Sequence, residues 1–150
     1  MNIILETQNF IVKVPEQPHV TRNDGGHIVI FSKKKIKDRT ELQPKEAAEL
    51  MRLTIIVGKA MQKGLKKENV NIERINYQEN GNWQNSNNKQ HSMHIHLYGR
   101  TKTAKIQKFG QALYLPLPFT GFYNNNKPLK KEDIRAIKKE VQKILKEESR

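Results

Sequence analysis

The stretch that decides the reading of this chain is HSMHIHLYGR, residues 91–100. Met93, Ile95 and Leu97 alternate with Ser92, His94, His96 and Tyr98, the period of a strand with one buried face. Successive side chains of a strand point to opposite sides. The spacing therefore predicts a polar face of Ser92, His94, His96 and Tyr98, and a core face of the three apolar residues. His91 has the other parity and stands at the junction with a loop. Histidine is scarce, five in 150 residues, yet three of the five fall within six positions.

Such a cluster admits three readings. One is a polar strand face with incidental histidines. A second is a metal site from His91, His94 and His96, since zinc sites do use three histidines with an open position. Parity separates His91 from the other two, and the nearest acid in sequence is Glu79. The third is nucleophilic catalysis at phosphorus. A neutral imidazole can attack a phosphate and form a covalent intermediate, while a second imidazole holds that phosphate or the leaving group.

Working outward, ENGNWQNSNNKQ (79–90) has Trp83 as its one apolar residue and reads as a long polar loop, a type that is often functional. VNIERINYQ (70–78) alternates and reads as a strand. HIVIFS (27–32) is an apolar strand entered through the NDGG turn signal, and NFIVKV and NIILE are two more strands near the start. Pro44 suits a first helical turn. From there Ala47, Leu50, Met51, Thr54, Ile55, Gly58 and Met61 recur at three-four spacing, predicting a helix with that face buried, ended by Gly64 and the KKEN (66–69) that follows. LYLPLP (113–118) is extended, and Ile134, Ile137, Val141, Ile144 and Leu145 mark a second amphipathic helix. Strands, helix, strands and a late helix make an α+β fold with a mostly antiparallel sheet.

The chain carries 28 Lys plus Arg against 15 Asp plus Glu, a net charge of +13. A field of that sign attracts polyanions, which points to a nucleotide, another phosphorylated small molecule or a nucleic acid as partner; the other reading is a Lys-rich surface that is only compositional habit. No apolar run reaches the roughly 20 residues of a membrane helix. There is no cysteine, which excludes disulfides and thiolate metal sites and favours a cytoplasmic location. The first residues lack the features of a signal peptide.

MHIHLYGR resembles the signature of the histidine triad (HIT) family, in which histidines alternate with apolar residues and an Arg often follows. GGHIVIFSKKK (25–35) resembles that family's strand running into a basic turn. LQPKEAAELMRLTIIVGKAMQKGL (42–65) resembles its single long helix, and INYQENGNWQ (75–84) the strand and Asn-Gly turn ahead of the triad. The resemblance covers roughly residues 9–100 of one domain, leaving 101–150 as a C-terminal extension.

That resemblance implies a HIT-like sheet with one long helix packed on it. It also implies a nucleotide-phosphate site, hydrolase or nucleotidyl-transferase chemistry, no cofactor, no metal ligand set and a homodimer. By position, His94 is the nucleophile and His96 contacts the phosphate. Asn80 matches the family's Asn-containing turn, and Asn88 and Lys89 its polar phosphate contacts. Ser92, Tyr98 and Lys35 complete the expected substrate-binding set. Three positions depart from the pattern. Ser92 stands at the first triad position, and Lys35 where the basic turn usually ends in histidine. Lys13 falls where an acidic residue commonly holds the ribose hydroxyls, and a Lys has no acceptor to offer them. The phosphate chemistry is thus better preserved than nucleoside recognition. The alternative is a non-catalytic binder of an anionic ligand, nucleotide or RNA on the same scaffold.

Overall fold

A computed structural model describes residues 2–83 and 92–150. Five strands, β1 (Asn2–Glu6), β2 (Phe10–Val14), β3 (His27–Ser32), β4 (Arg74–Gln78) and β5 (His94–Arg100), form one sheet in the order β1-β2-β3-β5-β4. Every neighbouring pair is antiparallel. Two α-helices, α1 (Pro44–Lys67) and α2 (Lys131–Glu148), and three short 3-10 turns complete the described elements. No helix is long and apolar enough to cross a membrane.

The parity read from residues 92–98 holds. Met93, Ile95 and Leu97 join Phe10, Val12, Ile28 and Ile30 in the core beneath α1, to which α2 adds Ile134, Ile137 and Val141. Antiparallel register sets His94 opposite Phe31, His96 opposite Val29, and Tyr98 opposite His27. The reverse face of the sheet is therefore a histidine face, built on β3 and β5 together.

Three expectations need correction. Of the two signals for the end of α1, KKEN holds, since the helix stops at Lys67, but Gly64 lies inside it. A Cβ at Gly64 would lie 2.9 Å from the Ile137 nitrogen, so the bare backbone there lets α2 pack close. The buried stripe of α1 is also rotated: Leu53, Val57 and Ala60 are covered, whereas Met51 and Ile55 are exposed. The helix carries apolar residues over a wide arc, and the core takes only the half that faces the sheet and α2. Finally, β4 starts at Arg74 rather than at residue 70. Asn69 adopts φ 66° and the Val70 N–H bonds back to the Leu65 carbonyl, so these residues serve the helix end.

The C-terminal third is integrated into the domain. The fully buried Asp133 of α2 accepts from Arg22 Nε (2.8 Å) and Nη2 (2.9 Å) and from the Lys130 N–H (2.7 Å). Asp24 gathers the backbone N–H groups of Lys105, Ile106 and Gln107. Asn126 donates to the carbonyls of Pro18 and His19. Residues 113–118 form no strand. Gln107 instead brackets the backbone N–H and carbonyl of Tyr114, and the prolines at 116 and 118 lack the N–H that a ladder requires.

Candidate active site

All four described histidines meet on the face of the sheet opposite the α1 core. His94 and His96 come from β5 and His27 from β3. His19 comes from the loop that the C-terminal segment ties down. The ring centroids of His19, His27 and His96 lie 4.7–5.3 Å apart, and those of His94 and His96 4.8 Å apart.

Obligate donors and acceptors fix where protons sit in this cluster. His94 Nδ1 lies 3.0 Å from the Ser92 carbonyl oxygen. A carbonyl only accepts, so Nδ1 carries the proton, and neutral His94 presents an Nε2 lone pair. The His19 peptide N–H, 3.1 Å from His27 Nδ1, only donates. His27 Nδ1 is therefore an acceptor and Nε2 carries the proton. That proton points at His96 Nδ1, 2.8 Å away, which leaves the other proton on His96 Nε2. Two histidines two residues apart are thus set in opposite tautomers, one as a base and one as a donor.

Burial keeps the rings of His19, His27 and His96 uncharged at neutral pH. Desolvation, aided by the nearby His94, lowers the pKa of His19 to about 4 and that of His96 to about 3. His27 is lowered well below the ordinary histidine value by its complete burial and then by the imidazoles around it. Desolvation also raises the Tyr98 phenol, with Tyr123 reinforcing the shift.

The ligand atoms of His19, His27 and His96 fall within 4.8 Å of one another, a spacing that suits a metal ion. Their hydrogen bonds do not suit one. A neutral ligating imidazole puts one nitrogen on the metal and points the other, protonated, at an acceptor. His27 Nδ1 faces a peptide donor, so its remaining nitrogen must hold the proton. The cluster is built as a hydrogen-bond relay into His96. Of the trio His91, His94 and His96, the first lies outside the described residues.

Two clefts flank His94. One, of about 320 Å³, is lined by His19, Asn80, Trp83, His94, His96 and Leu115 among others. The second, of about 350 Å³, is polar, with Lys37, Asp38, Arg39, Thr40 and Glu79 around His94. There Arg39 Nε is held by Glu79 at 2.5 Å, and Asp38 caps the Thr40 N–H at 2.8 Å. Only the first cleft also reaches His96, so a phosphate spanning both imidazoles belongs there.

The other expected residues are placed as follows. Asn80 lines both clefts and bonds the Tyr98 hydroxyl. Ser92 supplies the carbonyl that orients His94. Tyr98 is on the expected face, but it is fully buried and its hydroxyl lies 2.8 Å from His19 Nδ1, so it braces the cluster and does not line the cleft. Lys35 is exposed and lines neither cleft, while its neighbours Lys33 and Lys34 pair with Glu6 and Glu46. Lys13 sits over the Phe31 ring, 5.6 Å from its centroid. Arg100 braces the strand end, donating to Asn76 Oδ1 and to the carbonyls of Lys108 and Gln111. Asn88 and Lys89 fall outside the described residues. His19, His27 and Leu115 were not anticipated. Alternation in HIVIFS places His27 with Val29 and Phe31, but only the pairing of β3 with β5 reveals its partner.

No family sequence model and no curated protein sequence matches the chain. Solved structures do. A zinc-bound histidine triad family protein from Mycobacterium smegmatis superposes with a TM-score of 0.61 at 17% identity, covering 96% of this chain and 86% of that one. A histidine triad protein from Bradyrhizobium japonicum gives 0.58 at 17% identity, covering 93% and 90%. A uridylyltransferase gives 0.53 at 15% identity, covering 94% of this chain and 41% of that one. The chain has the histidine triad fold, an α+β architecture with an open antiparallel sheet.

Proposed function

We propose that this protein is a nucleotide-phosphate hydrolase or nucleotidyl transferase that uses His94 as a covalent nucleophile. The reading rests on the opposite tautomers of His94 and His96. In the first step the His94 Nε2 lone pair attacks the α-phosphorus, a P–N bond forms, and the bond from phosphorus to the leaving group breaks. His96, through its Nε2–H, hydrogen-bonds a phosphoryl or leaving-group oxygen as charge builds there. Water, or an acceptor in a transferase, then attacks the phosphorus and frees His94. The fold shared with triad proteins and a uridylyltransferase is compatible with either outcome.

Among its described lining residues the cleft has neither Lys nor Arg. Its described walls offer imidazole and amide groups suited to hydrogen-bonding one phosphate.

The test is turnover of a panel of nucleotide phosphoramidates, dinucleoside polyphosphates and sugar nucleotides. At least one should be consumed by the wild type and spared by His94→Ala. Consumption of none, or consumption unaffected by His94→Ala, would refute the proposal.

A further inference from the structure

The histidine face continues past Tyr98 to a second polar region that the phosphate chemistry leaves unused. Register sets Gln78 opposite His96, Asn76 opposite Tyr98 and Arg74 opposite Arg100. Directly opposed residues of an antiparallel pair share a face, and like charges so placed repel. Arg100 is only 5% exposed. Its guanidinium donates to neutral acceptors: Asn76 Oδ1 at 2.7 Å and the carbonyls of Lys108 at 2.9 Å and Gln111 at 2.8 Å. Its Nε–H, also buried, has no partner among the described residues. The arginines in salt bridges there are Arg22, Arg39 and Arg52, so neither Arg74 nor Arg100 has a described carboxylate. Burial holds the Arg100 pKa below its ordinary value, and Asp24, the acid that works against this, is engaged by three backbone N–H groups.

Both arginines border one cleft of about 630 Å³ beside β4, the edge strand of the sheet. Asn76, Gln78 and Gln111 add polar groups to its walls, and Phe109 and Leu113 add apolar ones. The cleft shares no described lining residue with the one that holds His94 and His96. We propose that it is a separate binding site for the oxyanion group, phosphate or carboxylate, of a small molecule, held between Arg74 and Arg100. A buried charge without a counter-ion is costly, and an anion here supplies one to both members of an opposed pair. The flat, many-donor guanidinium matches the oxygens of phosphates and carboxylates alike. The volume is ordinary for a small-ligand pocket, which leaves room for an organic body against Phe109 and Leu113.

The Nε–H of an arginine gives its own signal in a proton–nitrogen correlation spectrum, so the donor that lacks a partner can be watched directly. Isotope-labelled wild-type protein, with the Arg100 signal assigned through its own backbone, is titrated with inorganic phosphate and separately with acetate. Sodium chloride holds the ionic strength constant. The Arg100 signal should shift saturably with at least one anion. A response to phosphate alone assigns a phosphorylated ligand, and a response to acetate a carboxylate. Arg74 is exposed, and Arg74→Gln should weaken that binding about tenfold, the scale of one charge-assisted hydrogen bond. A signal that moves no further with either anion than with chloride would overturn the site. Equal affinity in wild type and Arg74→Gln would overturn the paired arginines as its basis. Each result is independent of turnover at His94, because the two clefts have no described lining residue in common.

Discussion

At the scale of single residues, the site depends on a proton count. His27 is an odd residue to bury completely, since an imidazole without partners is costly in an apolar interior. Both its nitrogens are satisfied, one by the His19 peptide and one by His96, and in that position it chooses which nitrogen of His96 is protonated. His27→Leu should therefore slow turnover about 10- to 100-fold, the usual cost of losing a residue that orients a reacting histidine, and should shift the pH profile. His27→Gln, whose amide can still donate to His96 Nδ1, should restore much of the rate. Steady-state rates across pH 5 to 9 check this, and identical profiles for the Leu and Gln variants would contradict the relay. Ser92 acts on His94 through its carbonyl, which any residue supplies, so Ser92→His should retain or raise activity. Much of this scale was legible in the sequence: period-2 alternation placed His94 and His96 on one face. Tyr98 was misjudged because alternation gives a side but not a depth. The loop carrying His19 and the residues over Tyr98 arrive from distant parts of the chain.

At the scale of elements, the helix pair shows why glycines in similar settings differ. Both Gly58 and Gly64 lie inside α1, where replacement by Ala gains about 1 kcal/mol of helix propensity. At Gly64 the new methyl would meet the backbone of Ala136 and Ile137 at 2.9–3.0 Å. Backbone cannot step aside without moving α2, and such overpacking costs about 1–3 kcal/mol. At Gly58 the obstacle is the end of the Tyr77 side chain, at 2.1 Å, and Tyr77 is half exposed and free to swing. Chemical denaturation should find Gly64→Ala destabilised and Gly58→Ala neutral or stabilised. The reverse order would contradict this packing. The strands at 27–32 and 94–100 and both helices could be placed from periodicity, because each carries a sustained apolar stripe. The end of α1 was legible in KKEN, but not at Gly64. Gly64 is a helix breaker by propensity, and only the partner helix explains why it stays inside.

At the scale of the whole molecule, the site and the fold share one pH dependence. In the folded protein His19 and His96 titrate near about 4 and 3, and His27 also lies well below its ordinary value. In the unfolded chain all three titrate near the usual value of about 6.5. Below that value the unfolded state binds protons that the folded state refuses, so stability falls as the pH drops. The contribution is fully present above about pH 7 and is lost progressively from about 6.5 down toward the folded-state values, about 4 for His19 and about 3 for His96, a window opening above that of the carboxylates. Thermal unfolding at pH 7.5, 6 and 5 should show a falling Tm, and a constant Tm over that range would show that the imidazoles are not held neutral. The sequence at this scale offered charge, which suggests an anionic partner without placing it: the described residues of one cleft beside His94 include neither Lys nor Arg, while the other has Lys37 and Arg39. Net charge describes the surface and carries no address.

The central claim is that His94 attacks phosphorus, and it is tested most directly by looking for the bond it makes. A substrate from the panel is mixed with the wild-type enzyme, quenched within milliseconds under alkaline conditions that preserve a P–N linkage, and digested for mass spectrometry. The account predicts a nucleotidyl adduct on His94 that forms before product accumulates, decays as substrate is exhausted, and is absent from His94→Ala. Turnover with no adduct on His94 at any time point, or with an adduct on His96 instead, would contradict it.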